Sequence, residues 1–447
     1  MTVSNPLPSL APHVLLIFLL QISLLLLVAL ALGRVAVRCK LPALVGELLT
    51  GVILGPSLLG NWAPGALRWL FPDDADQLHL VDAVGQIGVL LLVGVTGAQL
   101  DVAMIRSRGV TGVRVSLSGL LLPLVLGIGA GFLVPAALLT GRTDRWVFAL
   151  FLGVAMCVTA IPVIAKTLAD MGLLHRDIGQ LTLAAGSVDD AIGWFLLSVV
   201  AAAATTGVHA GSVALSVLYL LGFLAAALLI GRPLVRWVMR HAARSSEGGV
   251  RATAAVILVL LGAAATQSMG MEALFGAFIA GILIGQTRER PGELGADPGR
   301  PLWTDLAPLR TIVLAVLAPV FLATAGLRID MRALADPRVL LAGIALLLIA
   351  IIGKFVGAYA GARASRLSHW EAIALGAGMN SRGIVEVVVA TTGLRLGVLS
   401  IATYTVVVLI AVVTSVMGPP ILRWAMSHVD VTEQERSREQ SLAATPV

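Results

Sequence analysis

Charge is what this chain has least of. Asp, Glu, Lys and Arg make up 13% of its 447 residues, about half the ~25% of a soluble domain. With 58% hydrophobic residues, that shortage leaves no room for a large soluble domain. The chain reads as an all-α polytopic membrane protein in a lipid bilayer. Lysine is rarest: Lys40, Lys166 and Lys354 are the only three. The two cysteines, Cys39 and Cys157, lie near a positive loop and within an apolar run, so no disulfide is expected. No GxxxxGK[ST] loop is present, which excludes direct use of ATP. No HExxH or Cys/His cluster implies zinc, and no TVGYG-like filter implies a potassium channel. No cofactor and no enzymatic activity are expected. A net charge of +6 is a sign that nucleic-acid binders share. The cations stand instead in short loops between apolar runs, which is the positive-inside pattern, so no nucleic-acid partner is expected.

The apolar runs number about thirteen: 13–33, 43–60, 83–100, 112–139, 146–170, 178–204, 213–231, 251–268, 271–286, 306–326, 337–361, 370–393 and 399–424. The first has no Lys or Arg before its apolar core, whereas Arg34, Arg38 and Lys40 follow it. That polarity is the reverse of a signal peptide's, so this run reads as a transmembrane helix with its N-terminus outside. The loops alternate accordingly. The inner loops and C-terminal end hold 22 Lys and Arg, among them Arg106, Arg108, Arg232, Arg236, Arg240, Arg288, Arg290, Arg300 and Arg438. The outer loops hold seven: Arg68, Arg142, Arg145, Arg328, Arg332, Arg338 and Arg395. The bias predicts an N-out, C-in protein of the cell (plasma or inner) membrane. Residues 427–447 form a short polar cytoplasmic tail.

Two spans carry a break. The fifth contains Val158-Thr-Ala-Ile-Pro162, a proline in mid-helix with Thr159 nearby to satisfy freed backbone groups. The twelfth contains Gly376-Ala-Gly-Met-Asn-Ser-Arg-Gly383. Seven spans separate them, so the two helices run in opposite directions. Interrupted helices at corresponding places in two halves point to an inverted-repeat transporter with a midplane site.

Few ionisable residues lie within the spans. Asp189 and Asp190 stand together in the sixth, Leu181-Thr-Leu-Ala-Ala-Gly-Ser-Val-Asp-Asp190. A carboxylate at mid-membrane costs about 3 kcal/mol or more and marks function by default. Neighbours on a helix point about 100° apart, so one can face a cavity and the other a partner helix. Lys354 in the eleventh span needs a carboxylate, and the doublet supplies one. Arg382 and Glu386 are i,i+4 in the twelfth and can pair along one helix face. Glu272 reads as structural, near a membrane surface. Glu47 reads equally as structural or as lining a vestibule.

Several stretches, in this order and at this spacing, resemble the cation:proton antiporter superfamily. They are Val45-Gly-Glu-Leu-Leu-Thr-Gly-Val-Ile-Leu-Gly-Pro56, Val158 to Ala165, Ser187-Val-Asp-Asp190, Leu274 to Gly281, Lys354 and Gly378-Met-Asn-Ser-Arg-Gly383. The branch is that of bacterial Na⁺/H⁺ exchangers, Kef-type proteins and plant cation/H⁺ exchangers. The resemblance implies an antiporter fold with two crossed, broken helices and elevator-like alternating access. It implies a transmembrane domain over 1–426, its core helices about 112–204 and 337–424, and a dimerisation scaffold from the remaining spans of a homodimer. It makes Asp190 the main carrier of cation and proton and Asp189 the salt-bridge partner of Lys354. An acidic pair at this place implies electrogenic exchange of Na⁺ or K⁺ for H⁺. Thr159, Ser187 and backbone carbonyls of the breaks are the candidate further ligands, with Pro162, Asn380, Ser381, Arg382 and Glu386 supporting the broken helices. A second reading is a proton-coupled exporter of a small organic molecule, an antibiotic or ionophore, using the same acids for protons only.

Overall fold

The computed structural model of the chain describes residues 10–39, 41–72, 74–100, 102–141, 143–206, 210–244, 248–287 and 306–436. Of the charges counted above, Lys40, Arg142, Arg288, Arg290, Arg300 and Arg438 lie outside the described residues, as does the tail beyond Arg436. The side chains of Arg106 and Arg108 are likewise not described.

In chain order the helices are α1 (Pro12–Arg38), α2 (Ala43–Leu54), α3 (Leu59–Trp62), α4 (Pro64–Leu70), α5 (Ala75–Ala98), α6 (Val102–Leu133), α7 (Arg145–Cys157), α8 (Ile161–Asp170), α9 (Asp177–Thr206), α10 (Ala210–Ala226), α11 (Arg232–Ala243), α12 (Gly248–Ser268), α13 (Ala273–Gly285), α14 (Ala307–Ile312), α15 (Ala318–Leu327), α16 (Pro337–Ala364), α17 (His369–Met379), α18 (Ile384–Arg395) and α19 (Ile401–Met426). Among the described residues eleven helices are long and apolar enough to cross a membrane, twelve with the bent pair α17–α18. The apolar α13, of 13 residues, accounts for the remaining run. Each apolar run thus finds a helix, and the boundaries differ for local reasons. The run 43–60 stops at Leu54, because Gly55-Pro56 follows and proline cannot continue a helix. The run 112–139 stops at Leu133, before Pro135. Gly109, at φ 53°, turns the chain ahead of it, a conformation glycine adopts without strain. Arg232, Arg236 and Arg240, expected in a loop, lie on α11. A π-helical turn, Ala227–Gly231, joins α10 to α11, and arginine is a good helix former.

The chain divides into two compact units, Met1–Val89 with Ile312–Asp330, and Leu90–Thr311 with Met331–Val447. In the first unit α2 packs on α15 where Gly51 meets Gly326. A Cβ on either would collide with backbone of the facing helix, and such small-residue contacts let membrane helices approach closely. Glu47 lines a cavity of this unit together with Arg34 and Arg38. Arg328 Nη2 pairs with Asp82 Oδ1 at 2.5 Å.

The second unit has its own core of Val115, Ile164, Leu168, Ala358, Ala374, Leu375, Met379 and Leu422. Gly357 and Gly361 of α16 lie close against the backbone of α6 at Arg114–Gly119. Ser368 and Glu371 form a capping box that starts α17. Glu272 is buried at the start of α13 and pairs with Arg395 at 2.7 Å.

A latch ties the C-terminal segment to the turn before α9. Arg176 Nε lies 3.2 Å from Glu435 Oε2, and Arg176 Nη2 donates to the carbonyls of Val429 at 2.9 Å and Asp430 at 3.0 Å. The N–H groups of Asp177 and Thr432 donate to the Glu435 carboxylate at 2.7 and 2.9 Å. Burial opposes ionisation of Glu435. Those two N–H groups and the Arg176 guanidinium outweigh it and hold the carboxyl below the usual carboxylate range. The folded value is therefore lower than the unfolded one. The stabilisation is fully present above about pH 4.3 and is lost as pH falls through the lowered folded value. Glu435→Gln is expected to cost about 2 kcal/mol at neutral pH. The gap in thermal midpoint from wild type should close on acidification. A gap that persists unchanged well below pH 4 would separate the loss from the charge.

Candidate functional site

Two breaks build the site. The helix α7 ends at Cys157, and Val158 to Ala160 run extended before α8 begins at Ile161. Pro162 is thus not in mid-helix: it occupies the first turn of α8, where its missing N–H costs nothing. The second break lies between α17 and α18, which are bent by 44°. The breaks meet: the Ala160 N–H donates to the Ser381 carbonyl at 3.4 Å.

Alongside this crossing runs α9 with the acidic doublet. Val158 packs on Gly193, and Ile161 and Ile164 lie against Gly186, so the first break faces the turns that hold Asp189 and Asp190. Both carboxylates are 0% exposed, yet their surroundings are opposite. Asp189 is saturated. Its Oδ1 accepts from Ser116 Oγ at 2.6 Å. Its Oδ2 accepts from Thr159 Oγ1 at 2.7 Å and from Lys354 Nζ in a fully buried ion pair. Lys354 also donates to the Cys157 carbonyl at 2.5 Å. Asp190 has no hydrogen-bond partner on either oxygen. Lys354, Asp189 and Glu386 lie within its electrostatic reach.

Two expectations are corrected here. Thr159 does not repair the backbone of its break; its hydroxyl goes to Asp189. Ser187 Oγ donates to the Leu183 carbonyl one turn back at 2.8 Å. Arg382 and Glu386 form no ion pair, because Arg382 lies in the break rather than on a helix. Its guanidinium donates to the carbonyls of Ala155, at 3.3 Å, and Met156 at the end of α7, and to Ala350 of α16 at 3.4 Å. Glu386 instead accepts the Gly383 N–H at 2.6 Å on Oε2, which caps α18, while Oε1 has no partner. Both side chains support the breaks, by separate routes. Ser415 Oγ donates to the Arg382 carbonyl. Asn380, the last residue before the break, is 0% exposed, and neither its Oδ1 nor its Nδ2 has a partner.

Ser116 was not singled out by its sequence. A lone serine in an apolar run carries no mark, and only the fold of α6 against α9 brings it to Asp189. Among the described residues no group of three or more His, Cys, Asp and Glu could hold a resident metal.

The family model "Sodium/hydrogen exchanger, transmembrane" matches residues 22–428. The chain is 31% identical over 415 residues to the Na(+)/H(+) antiporter NhaS4 of Synechocystis sp., covering 92% of this chain and 97% of that protein. It is 28% identical over 416 residues to the Na(+)/H(+)-K(+) antiporter GerN of Bacillus cereus, covering 92% and 97%. It is 30% identical over 410 residues to cation/H(+) antiporter 19 of Arabidopsis thaliana, spanning 91% of this chain and about half, 49%, of the plant protein. The fold is like that of the sodium proton antiporter MjNhaP1 from Methanocaldococcus jannaschii, with a TM-score of 0.66 over 97% of this chain and 100% of that one. At 14% identity this last likeness speaks for the fold alone. The chain is a multi-pass helical membrane protein and belongs to the transmembrane sodium/hydrogen exchanger family.

Proposed function

We infer that this chain is a secondary active antiporter that exchanges a monovalent cation, Na⁺ or K⁺, for protons. The observation that carries the reading is the split between the two acids: Asp189 fully bonded, Asp190 fully buried with no partner. A buried carboxylate without a partner is costly. Two events relieve it, taking up a proton or taking up a cation. One group that binds either, never both, couples their fluxes by competition. Oxygen ligands suit alkali cations. Relatives named as Na(+)/H(+) and cation/H(+) antiporters support the same reading.

The remaining parts of the reading rest on the residue pattern. Core helices within 112–204 and 337–424 carry the site through alternating access, and the other spans form the scaffold of a homodimer. The protein lies N-out and C-in in the cell membrane, as the arginine bias of its loops implies. Lys354, released when Asp189 lets go, supplies a second proton per turnover, so exchange of one cation for two protons moves net charge.

The test is flux in proteoliposomes. Recovery of a quenched pH-sensitive dye is expected on adding Na⁺ or K⁺, with Li⁺ run beside them. Silence with every alkali cation and a response to an organic solute would favour the exporter. An inside-negative potential, worth about 2.3 kcal/mol per charge per 100 mV, should drive Na⁺ efflux without a pH gradient. Rates indifferent to the potential would mean one-for-one exchange, and the proton assigned to Lys354 would have to go.

A further inference from the structure

Asn380 has no local reason to be an asparagine. The residue type is common just after helices because it tolerates the left-handed conformation. Here it stands at φ −83°, ψ 0°, which any residue adopts. Nor does its side chain cap the backbone, the other usual role of Asn: both amide atoms are without a partner. Its backbone N–H already closes α17 on the Gly376 carbonyl at 3.2 Å. A primary amide buried in this way costs free energy unless something bonds to it.

Its position says what that is. The next residue, Ser381, accepts the Ala160 N–H of the other break, and Ala160 follows Thr159, which is bonded to Asp189. Two residues before it, Gly378 lies against Thr182 of α9, two turns from the doublet. The amide therefore stands at the crossing, on the helix pair that faces α9. The other polar side chains of this crossing are spent elsewhere: Thr159 and Lys354 on Asp189, and Arg382 on the end of α7. Asp190, Asn380 and Glu386 Oε1 have oxygens to spare, and of the three only Asn380 offers a neutral one.

We propose that the Asn380 amide oxygen is a ligand of the transported cation, acting with the Asp190 carboxylate and setting which alkali cation is preferred. This rests on the antiport reading and deepens it. One carboxylate and one neutral oxygen balance a single positive charge, which suits a monovalent ion rather than a divalent one. In the other half of the cycle a protonated Asp190 is a donor, and an amide oxygen is a group that can accept from it.

The experiment compares wild type, Asn380→Ala and Asn380→Asp in proteoliposomes, reading the KM for Na⁺, K⁺ and Li⁺ and the thermal midpoint in detergent. Asn380→Ala is expected to raise the KM of the preferred cation about tenfold and to change the order of the three ions. A purely structural role would lower the midpoint and leave that order alone. If the Ala variant is not recovered folded, Asn380→Asp, of the same shape with an added charge, must change the order instead. Active variants with wild-type KM values and an unchanged order would overturn the inference while leaving antiport standing. Wild-type protein that exchanges no alkali cation would overturn antiport itself, and this inference with it.

Discussion

Asp190→Asn is expected to reduce exchange to background while leaving the protein at least as stable as wild type. The two halves come from one observation. A carboxylate that carries the exchanged ion cannot be replaced by an amide, which holds neither a proton at neutral pH nor enough charge for a cation. Because Asp190 makes no bond to the protein, its replacement leaves no partner stranded. Removing an unpaired buried charge takes away a cost instead of a contact. Asp189→Asn is the contrast. It is the same chemical change one residue away, yet it strands the Lys354 ammonium, fully buried against it. Inactive Asp190→Asn with an undiminished thermal midpoint, beside a clearly destabilised Asp189→Asn, is the expected pattern. Near-normal exchange by a folded Asp190→Asn protein would end the assignment, and so would an equal loss of stability in both.

Lys354→Ala is expected to lower stability by roughly 3–5 kcal/mol, the cost of breaking a buried pair and leaving the other charge behind. Asp189 would keep only the two hydroxyls of Ser116 and Thr159. The Cys157 carbonyl would lose its donor as well. The double variant Lys354→Ala, Asp189→Asn should recover much of the loss, because neither charge is then alone. A double-mutant cycle in thermal or denaturant unfolding measures the coupling, expected to exceed about 1 kcal/mol for groups in contact. Simple additivity would mean that the pair does not form in the folded protein.

The parts of the fold legible in the sequence are those set by composition and spacing. Thirteen apolar runs mark the helices, and the proline and glycine clusters mark both breaks. The doublet and the lone intramembrane lysine stand out because few charges surround them. Ser116 could not be found this way. Hydroxyls in membrane helices usually satisfy themselves one turn back, as Thr182, Ser187, Ser198 and Thr414 do here. Nothing in the sequence tells the exception from the rule. Arg382 departs from the i,i+4 expectation for a related reason. The i,i+4 rule presumes a continuous helix, and where the helix stops, bare carbonyls compete for the guanidinium. Pro162 has the same explanation: a proline inside an apolar run marks a break and leaves open on which side the helix ends.

A helix presents its last four carbonyls as a region of partial negative charge, equivalent to about half an electron. In α7 all four are engaged: Val154 with the Val158 N–H, Ala155 and Met156 with Arg382, and Cys157 with Lys354. Two buried cationic side chains thus counter this macrodipole. The end of α17 at the same crossing has no lysine or arginine on its carbonyls among the described residues. The two negative poles are therefore unequal. A positive ion at the crossing meets one pole already countered by two cations and one that carries none, and the second ends at Asn380.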